Sequence, residues 1–98
     1  MSKKPKATQD RVLVERHLAV FSNETDLLIS KYEFVDFDLA AFRARFDRNN
    51  TDPLLYYDHE VESQDVEFLS KYLPDEVIFD FDRYAYFVSC SASNNKIA

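Results

Sequence analysis

The chain has 98 residues, which is enough for one hydrophobic core and too few for two domains. Its formal net charge is −6, but four lysines lie in the polar ends, so residues 9–92 carry 8 basic against 18 acidic side chains. Such a domain repels nucleic-acid phosphates and attracts basic proteins. The absence of glycine argues against the phosphate-binding loops of nucleotide-dependent enzymes.

The composition of the chain ends predicts where the domain begins and ends, and the cysteine content predicts its cellular compartment. Residues 1–10 are basic and polar and residues 93–98 are polar, so we expect two flexible tails around a single domain at 11–92. The one cysteine, Cys90, cannot form an internal disulfide. Because no apolar run reaches the length of a signal sequence or a membrane helix, we predict a protein of the reducing cytoplasm.

The first predicted elements are an antiparallel hairpin followed by a helix. Residues 11–21 and 27–35 are rich in Val, Ile, Leu, Phe and Tyr, and a polar five-residue turn separates them. From Asp38 onward the pattern changes, because apolar residues recur three and four positions apart at Leu39, Phe42 and Phe46. This spacing after an acidic residue predicts a short helix.

The second half of the chain predicts a strand, a helix and a closing hairpin. In order, these are a strand at 54–61, a helix at 63–73 capped by Ser63, and a hairpin of 76–82 and 84–91. The order β-β-α-β-α-β-β has no alternating βαβ rhythm. It predicts an α+β fold with a single antiparallel sheet of four to five strands and short helices on one face.

Alternation along each strand divides the side chains between a core face and an open face. The predicted core face holds Val12, Val14, Leu18, Val20, Leu28, Tyr32, Phe34, Tyr57, Val61, Phe79, Phe81, Tyr84, Tyr86 and Val88. The candidate partner-binding residues on the open face are Glu15, His17, Phe21, Leu27, Lys31, Glu33, Asp58, Glu60, Asp80 and Phe87. Carboxylates around apolar anchors are typical of a protein-binding patch, whereas the simpler interpretation is a solvated face with two surface aromatics.

Patterns for catalysis and metal binding are weak. His59 lies between Asp58 and Glu60, but neighbours along a strand point to opposite faces, so we expect a half-buried structural histidine. Two histidines and one cysteine have no metal-ligand spacing, and a calcium loop needs a glycine. Ser89 and Cys90 suit packing within a strand better than nucleophilic catalysis. We predict no enzyme, no metal, no cofactor and no small-molecule ligand.

In the second half of the chain the run FLSKYL (68–73) leads through VIFDFD (77–82) to YFVS (86–89). This order of a Leu- and aromatic-rich segment and a last hairpin resembles the immunity proteins of the colicin E3 and cloacin ribonuclease toxins. The first hairpin is similar too, since its first strand ends in Phe21 before a polar turn at 22–26.

This resemblance implies a function and a set of contacts. Proteins of that family are small acidic sheets with little helix, and they bind the basic nuclease domain of the toxin made alongside them through the open face. The family's exposed aromatic falls on Phe21, its apolar residue opening the second strand on Leu27, its specificity positions on Asp58 and Glu60, and its last-strand phenylalanine on Phe87. The chain departs from the family in lacking glycine and in its predicted second helix, so a contact-dependent inhibition toxin fits as well as a colicin.

The expected partner is therefore a basic toxin domain, with no direct contact to nucleic acid or membrane. Two other classes of function stay open. An acidic nucleic-acid mimic that inhibits a DNA-binding protein would explain the charge, but it needs no apolar centre on its acidic face. A plain protein-interaction adaptor would need no acidity.

Overall fold

The structure, a computed structural model, describes the backbone of residues 14–92 and the side chains of residues 14–91. The elements are β1 (Val14–Ser22), β2 (Leu28–Glu33), α1 (Leu39–Phe46), β3 (His59–Glu60), a 3₁₀ turn (Ser63–Asp65), α2 (Val66–Ser70) and β4 (Tyr84–Ala92). The four strands form one antiparallel sheet in the order β2-β1-β4-β3. The predicted α+β class with a single antiparallel sheet is confirmed. The tails predicted at 1–10 and 93–98 lie outside the described residues.

The centre of the sheet is the long pair β1 and β4. The two strands pair along nine residues each, from Val14 opposite Ala92 to Ser22 opposite Tyr84. The turn between β1 and β2 is made without glycine, because the Ser22 hydroxyl accepts hydrogen bonds from two backbone N–H groups at 3.1 Å and Asp26 takes the left-handed conformation at φ 63°. No helix within residues 14–92 has the length and apolar character needed to cross a membrane.

The core lies between one face of the sheet and the two helices. Leu18 of β1 and Val88 of β4 point into it, and Phe42 of α1 and Leu69 of α2 close it from the other side. Four aromatic rings have their centroids 4.4–5.0 Å from that of Phe42, namely Phe34, Phe37, Phe68 and Tyr72. Burial of a side chain the size of phenylalanine stabilises a fold by roughly 1.5–3 kcal/mol, so Phe42 anchors α1 to the sheet.

Helix α1 begins where the sequence predicts it. The side chain of Asp38 accepts a hydrogen bond from the backbone N–H of Ala41 at 3.2 Å, which satisfies one of the free N–H groups of the first turn. Arg43 and Arg45 lie in the last turn, where positive charge is favourable to the helix dipole. The helix ends at Phe46.

The predicted third strand, 54–61, is wrong over most of its length. The Asp52 carboxylate accepts hydrogen bonds from the backbone N–H groups of Tyr56 and Tyr57 at 2.9 and 3.0 Å, which folds this segment into a turn. Only two residues, His59 and Glu60, remain in β3. Tyr57, predicted to point inward, is 71% exposed.

The predicted helix at 63–73 is shorter and starts differently. Ser63 is not its cap, because the Asp65 carboxylate accepts the backbone N–H of Glu62 at 2.9 Å and the chain enters through a 3₁₀ turn. Asp65 also pairs with Arg45 of α1 at 2.8 Å, which ties the two helical segments together. The α-helical part covers only residues 66–70.

The first strand of the predicted closing hairpin, 76–82, does not form. Phe79 and Phe81 pack against the core as predicted, but from a turn and not from a strand: their rings stack with centroids 5.7 Å apart, and both pack on Tyr86 of β4. The Tyr86 hydroxyl accepts the backbone N–H of Asp80 at 2.9 Å, and the Asp80 carboxylate accepts that of Asp82 at 3.2 Å. Asp80, predicted on the open face of the sheet, therefore organises the turn before β4.

Candidate protein-binding face

The open face of the sheet lies on the side opposite to the two helices, and its side chains form rows across the strands. Residues directly opposite each other in antiparallel strands point to the same face, with Cβ atoms about 4.5–5.5 Å apart. The rows, read from β2 through β1 to β4, are Glu33-His17-Ser89, Lys31-Ala19-Phe87 and Leu28-Phe21-Ala85, with Glu15-Ser91 completing the β1–β4 pairs. Glu60 of β3 stands opposite Phe87 and extends its row.

Two phenylalanines form the apolar centre of this face. Phe21 of β1 and Phe87 of β4 are diagonal neighbours, and their rings meet edge to face at 5.7 Å with an interplanar angle of 88°. Both side chains are half-buried. Edge-to-face contact fixes the rings against each other while leaving aromatic surface accessible to a partner.

The edge strand β2 continues this apolar surface. The β1–β2 register shifts between Val20 and Phe21, so that Leu28 stands opposite Phe21. Leu28, predicted to point into the core, is 49% exposed as a result. Leu27 and Ile29 on either side are 66% and 52% exposed. Leu28 and the Phe21–Phe87 pair together make an apolar strip from the edge of the sheet to its centre.

Charged side chains border the strip, and most of them surround His17. Burial lowers the pKa of His17, and the charge of Lys31 lowers it further, while the carboxylates of Asp58, Glu15 and Glu33 act in the opposite direction. The net effect is a pKa below the ordinary 6.5, so the imidazole is neutral at pH 7. Asp58 directly precedes His59, which points to the core side of the sheet, so the Asp58 carboxylate points to the open face at this end.

The structure brings together eight of the ten predicted partner-binding residues. Those that share the open face are Glu15, His17, Phe21, Lys31, Glu33, Asp58, Glu60 and Phe87. Leu27 lies at the end of the polar turn and borders the strip, whereas Asp80 lies in the turn before β4. Sequence reasoning missed Leu28, because a register shift leaves no mark in the alternation of β2.

His59 belongs to the other side of the sheet. It stands opposite the buried Val88, and its Nε2 lies 2.8 Å from the Asp52 carboxylate. Burial acts to raise the pKa of Asp52, but the hydrogen bonds from His59 and from the N–H groups of Tyr57 and Tyr56 outweigh it and lower that pKa. The pair holds the turn at 52–57, which agrees with a half-buried structural histidine.

Other candidate chemistry has little geometric support. Burial raises the pKa of the Cys90 thiol, which keeps it protonated and poorly nucleophilic near neutral pH. Among the residues at 14–91, no group of three or more His, Cys, Asp or Glu side chains is arranged to hold a metal ion.

Comparison with known proteins identifies the family to which the chain belongs. The model of the family described as "Domain of unknown function (DUF7683)" matches residues 15–89. The chain therefore belongs to this family. No curated protein and no solved structure matches the chain. The family match adds no support to the resemblance to colicin E3 and cloacin immunity proteins, which stays a prediction.

Proposed function

We propose that this member of the DUF7683 family binds a basic protein domain through the open face of its sheet and neutralises it, in the manner of the cytoplasmic immunity proteins of bacterial nuclease toxins. The observation that carries the proposal is the half-buried Phe21–Phe87 pair on the sheet face opposite to the helices, bordered by carboxylates. Neither phenylalanine belongs to the hydrophobic core on the other face of the sheet.

The arrangement of the face matches the energetics of protein interfaces. Binding energy concentrates in a few aromatic anchors near the centre, and the surrounding polar residues exclude water and select the partner. Phe21 and Phe87 occupy the central position, and Glu15, Glu33 and Glu60 the border. The charge of the border favours a basic partner and accelerates its association.

The apolar strip favours a protein partner over the mimicry of nucleic acid. A mimic needs carboxylates at phosphate-like spacing, and exposed aliphatic side chains weaken its solubility without improving that likeness. Here Leu28, which is 49% exposed, stands opposite Phe21 and extends the aromatic pair to the edge of the sheet. An adaptor function differs from immunity in its consequence, because an adaptor leaves its partner active.

The experiment is capture of the partner from the native host, followed by an activity assay. The wild-type chain, Phe87→Ala and Tyr57→Ala are used as baits, since Tyr57 is an equally large exposed aromatic that lies outside the open face. We expect the wild type and Tyr57→Ala to retain the same basic protein and Phe87→Ala to lose it. Purified wild-type chain should then abolish the toxicity or nuclease activity of that protein.

Three outcomes contradict the proposal. Capture of the partner by Phe87→Ala with wild-type affinity would show that the open face is not the binding surface. A captured partner that is acidic would contradict the role of the charged border. A basic partner that keeps its full activity in the complex would identify an adaptor.

A further inference from the structure

The surroundings of His17 form an unusual group on the open face. Glu33 stands directly opposite His17 across the β1–β2 pair, Glu15 lies two residues earlier on the same side of β1, and Asp58 approaches from the start of β3. Ser89 faces His17 from β4, and Lys31 lies one row further along β2. Each element that packs around this point therefore contributes a polar or charged side chain.

The histidine at the middle of this group is buried and has no hydrogen-bonding partner among the described residues. Its residue exposure is 6%, yet none of the side-chain hydrogen bonds at 14–91 involves its ring. The ring nitrogens of His17 are not among the fully buried polar atoms that lack a partner, so the mostly buried imidazole still reaches the surface of the open face. A ring nitrogen in this position can accept a hydrogen bond from a group that docks on the face.

The three carboxylates are likewise without an ion pair to any of the described residues. The ion pairs of the described residues join Arg45 to Asp65 and His59 to Asp52, so Glu15, Glu33 and Asp58 take part in none. Three carboxylates against the single ammonium of Lys31 leave the group with a net negative charge, and a cation placed between the carboxylates relieves their repulsion. A basic partner can supply that cation.

We propose that His17, Glu15, Glu33 and Asp58 form a seat for an arginine side chain of the basic partner, in which the neutral imidazole accepts a hydrogen bond and the carboxylates supply the counter-charge. The inference rests on the proposed function, since it names the chemical group that the open face receives. A guanidinium carries five N–H donors in a rigid planar fork and can reach several acceptors at once, whereas an ammonium acts as a compact point charge.

The state of His17 makes the seat sensitive to pH. Burial and Lys31 keep the imidazole neutral at pH 7, which leaves one ring nitrogen as an acceptor. Protonation below its pKa converts that acceptor into a donor and places a positive charge beside the incoming guanidinium. Binding of a guanidinium therefore weakens as the pH falls, whereas binding to the carboxylates alone does not weaken until they protonate.

The test uses the two histidines of the chain as reporters, because His17 lies on the open face and His59 on the core side. Imidazole NMR signals of the full chain are followed at pH 7.5 during titration with Nα-acetyl-arginine amide. Nα-acetyl-citrulline amide, which has nearly the same shape without the charge, serves as the matched control. We expect a saturable shift of the His17 signals with the arginine probe only, and unchanged His59 signals.

Variants separate the contributions to the seat. Glu33→Gln and Asp58→Asn should each weaken binding of the arginine probe roughly three-fold, as expected for one partly exposed charge pair. His17→Gln keeps a hydrogen-bonding side chain that does not titrate, and its probe binding, followed by backbone amide shifts of β1 and β2, should be equal at pH 7.5 and 5.5. The wild type should bind the probe more weakly at pH 5.5. Backbone amide spectra establish that each variant is folded.

The outcomes distinguish the seat from the proposed function. Equal shifts with the arginine and citrulline probes, no shift at His17, or the same pH dependence in His17→Gln would overturn the seat. Capture of a basic partner through Phe87 would then still stand. Conversely, saturable arginine binding together with wild-type partner capture by Phe87→Ala would support the seat and contradict the proposed function.

Discussion

The two faces of the sheet are built from the same strands, but only one of them is covered by the helices. On the core face, Leu18 and Val88 find their partners in the helices and are 0% and 2% exposed. On the open face, Phe21 and Phe87 pack edge to face on each other and are only half-buried. Because adjacent residues of β4 point to opposite faces, the sequence Phe87-Val88 places a residue of the proposed binding face directly beside a core residue. The faces can therefore be separated by single substitutions.

The largest expected effect lies on the core side. Phe42→Ala removes the ring around which four other aromatic rings pack, and the resulting cavity should lower the free energy of unfolding by about 3–5 kcal/mol. Urea unfolding measures the loss. The matched control is Ile78→Ala, which removes an apolar side chain that is 83% exposed and should change stability by no more than about 0.5 kcal/mol. Equal losses in the two variants would refute the described core.

The second prediction is that substitutions at the neighbouring residues Phe87 and Val88 affect different properties, binding in the first case and stability in the second. Phe87→Ala should leave the fold intact and weaken binding of the captured basic partner by about 2 kcal/mol, or roughly 30-fold, mostly through faster dissociation. Val88→Ala should lower the free energy of unfolding by more than Phe87→Ala does while preserving the affinity of the folded fraction. Titration calorimetry and urea unfolding on both variants give the comparison. Unfolding of the chain by Phe87→Ala would mean that the faces are reversed.

Patterns within short stretches of the sequence correctly predicted those strands and helices whose formation depends on residues close by in the chain. Alternation located β1 and β4, and the Asp38 cap with its apolar spacing located α1. The failures at 54–61 and 76–82 share one cause. Both segments have the composition of strands, but Asp52 and Asp80 hold them in turns through hydrogen bonds from backbone N–H groups a few residues away. Composition does not reveal which aspartate folds back onto its own backbone.

The candidate site was predictable only in part, for a related reason. Regular pairing lets alternation place His17, Ala19 and Phe21 on one side of β1, since every β1–β4 pair keeps its register. The shift that turns Leu28 outward is a property of the β1–β2 pair and not of either strand. The group around His17 likewise depends on how three distant segments align, and this long-range register is absent from the local pattern.

The two histidines offer a finer comparison, and the larger effect belongs to the core side. The pKa of Asp52 is lowered in the folded state, so its contribution to stability is complete above its ordinary value of 3.8 and is lost as the pH falls through the lower folded value. Asp52→Asn should cost about 1–3 kcal/mol at pH 7 and flatten the acid limb of the stability curve. The control Asp75→Asn removes an exposed carboxylate and should do neither. Parallel acid limbs in the wild type and Asp52→Asn would contradict the Asp52–His59 pair.

A related test concerns the charged border and its range. The association rate of the captured basic partner should fall about tenfold or more between 0.1 M and 1 M salt, because the Debye length shrinks from about 10 Å to about 3 Å. Phe87→Ala should change the dissociation rate and keep this salt dependence, whereas Glu60→Gln should reduce the salt dependence and leave dissociation less affected. Stopped-flow mixing measures both rates. An association rate that does not depend on salt would contradict the prediction that the charged border accelerates association with the partner.

The smallest effect concerns His17 and the stability of the free protein. Burial, followed by Lys31, lowers the pKa of this imidazole, so the folded protein resists a proton that the unfolded chain takes up near pH 6.5. The free energy of unfolding should therefore decrease as the pH falls below 6.5, by at most about 1.4 kcal/mol per pH unit, the limit for one proton. His17→Gln should abolish this decrease between pH 7.5 and 5.5 in urea unfolding, while Asp52→Asn should keep it. If His17→Gln and the wild type lose stability equally over this range, His17 is not shielded from water. The middle of the open face would then be an ordinary solvated surface, unlike the buried core behind it.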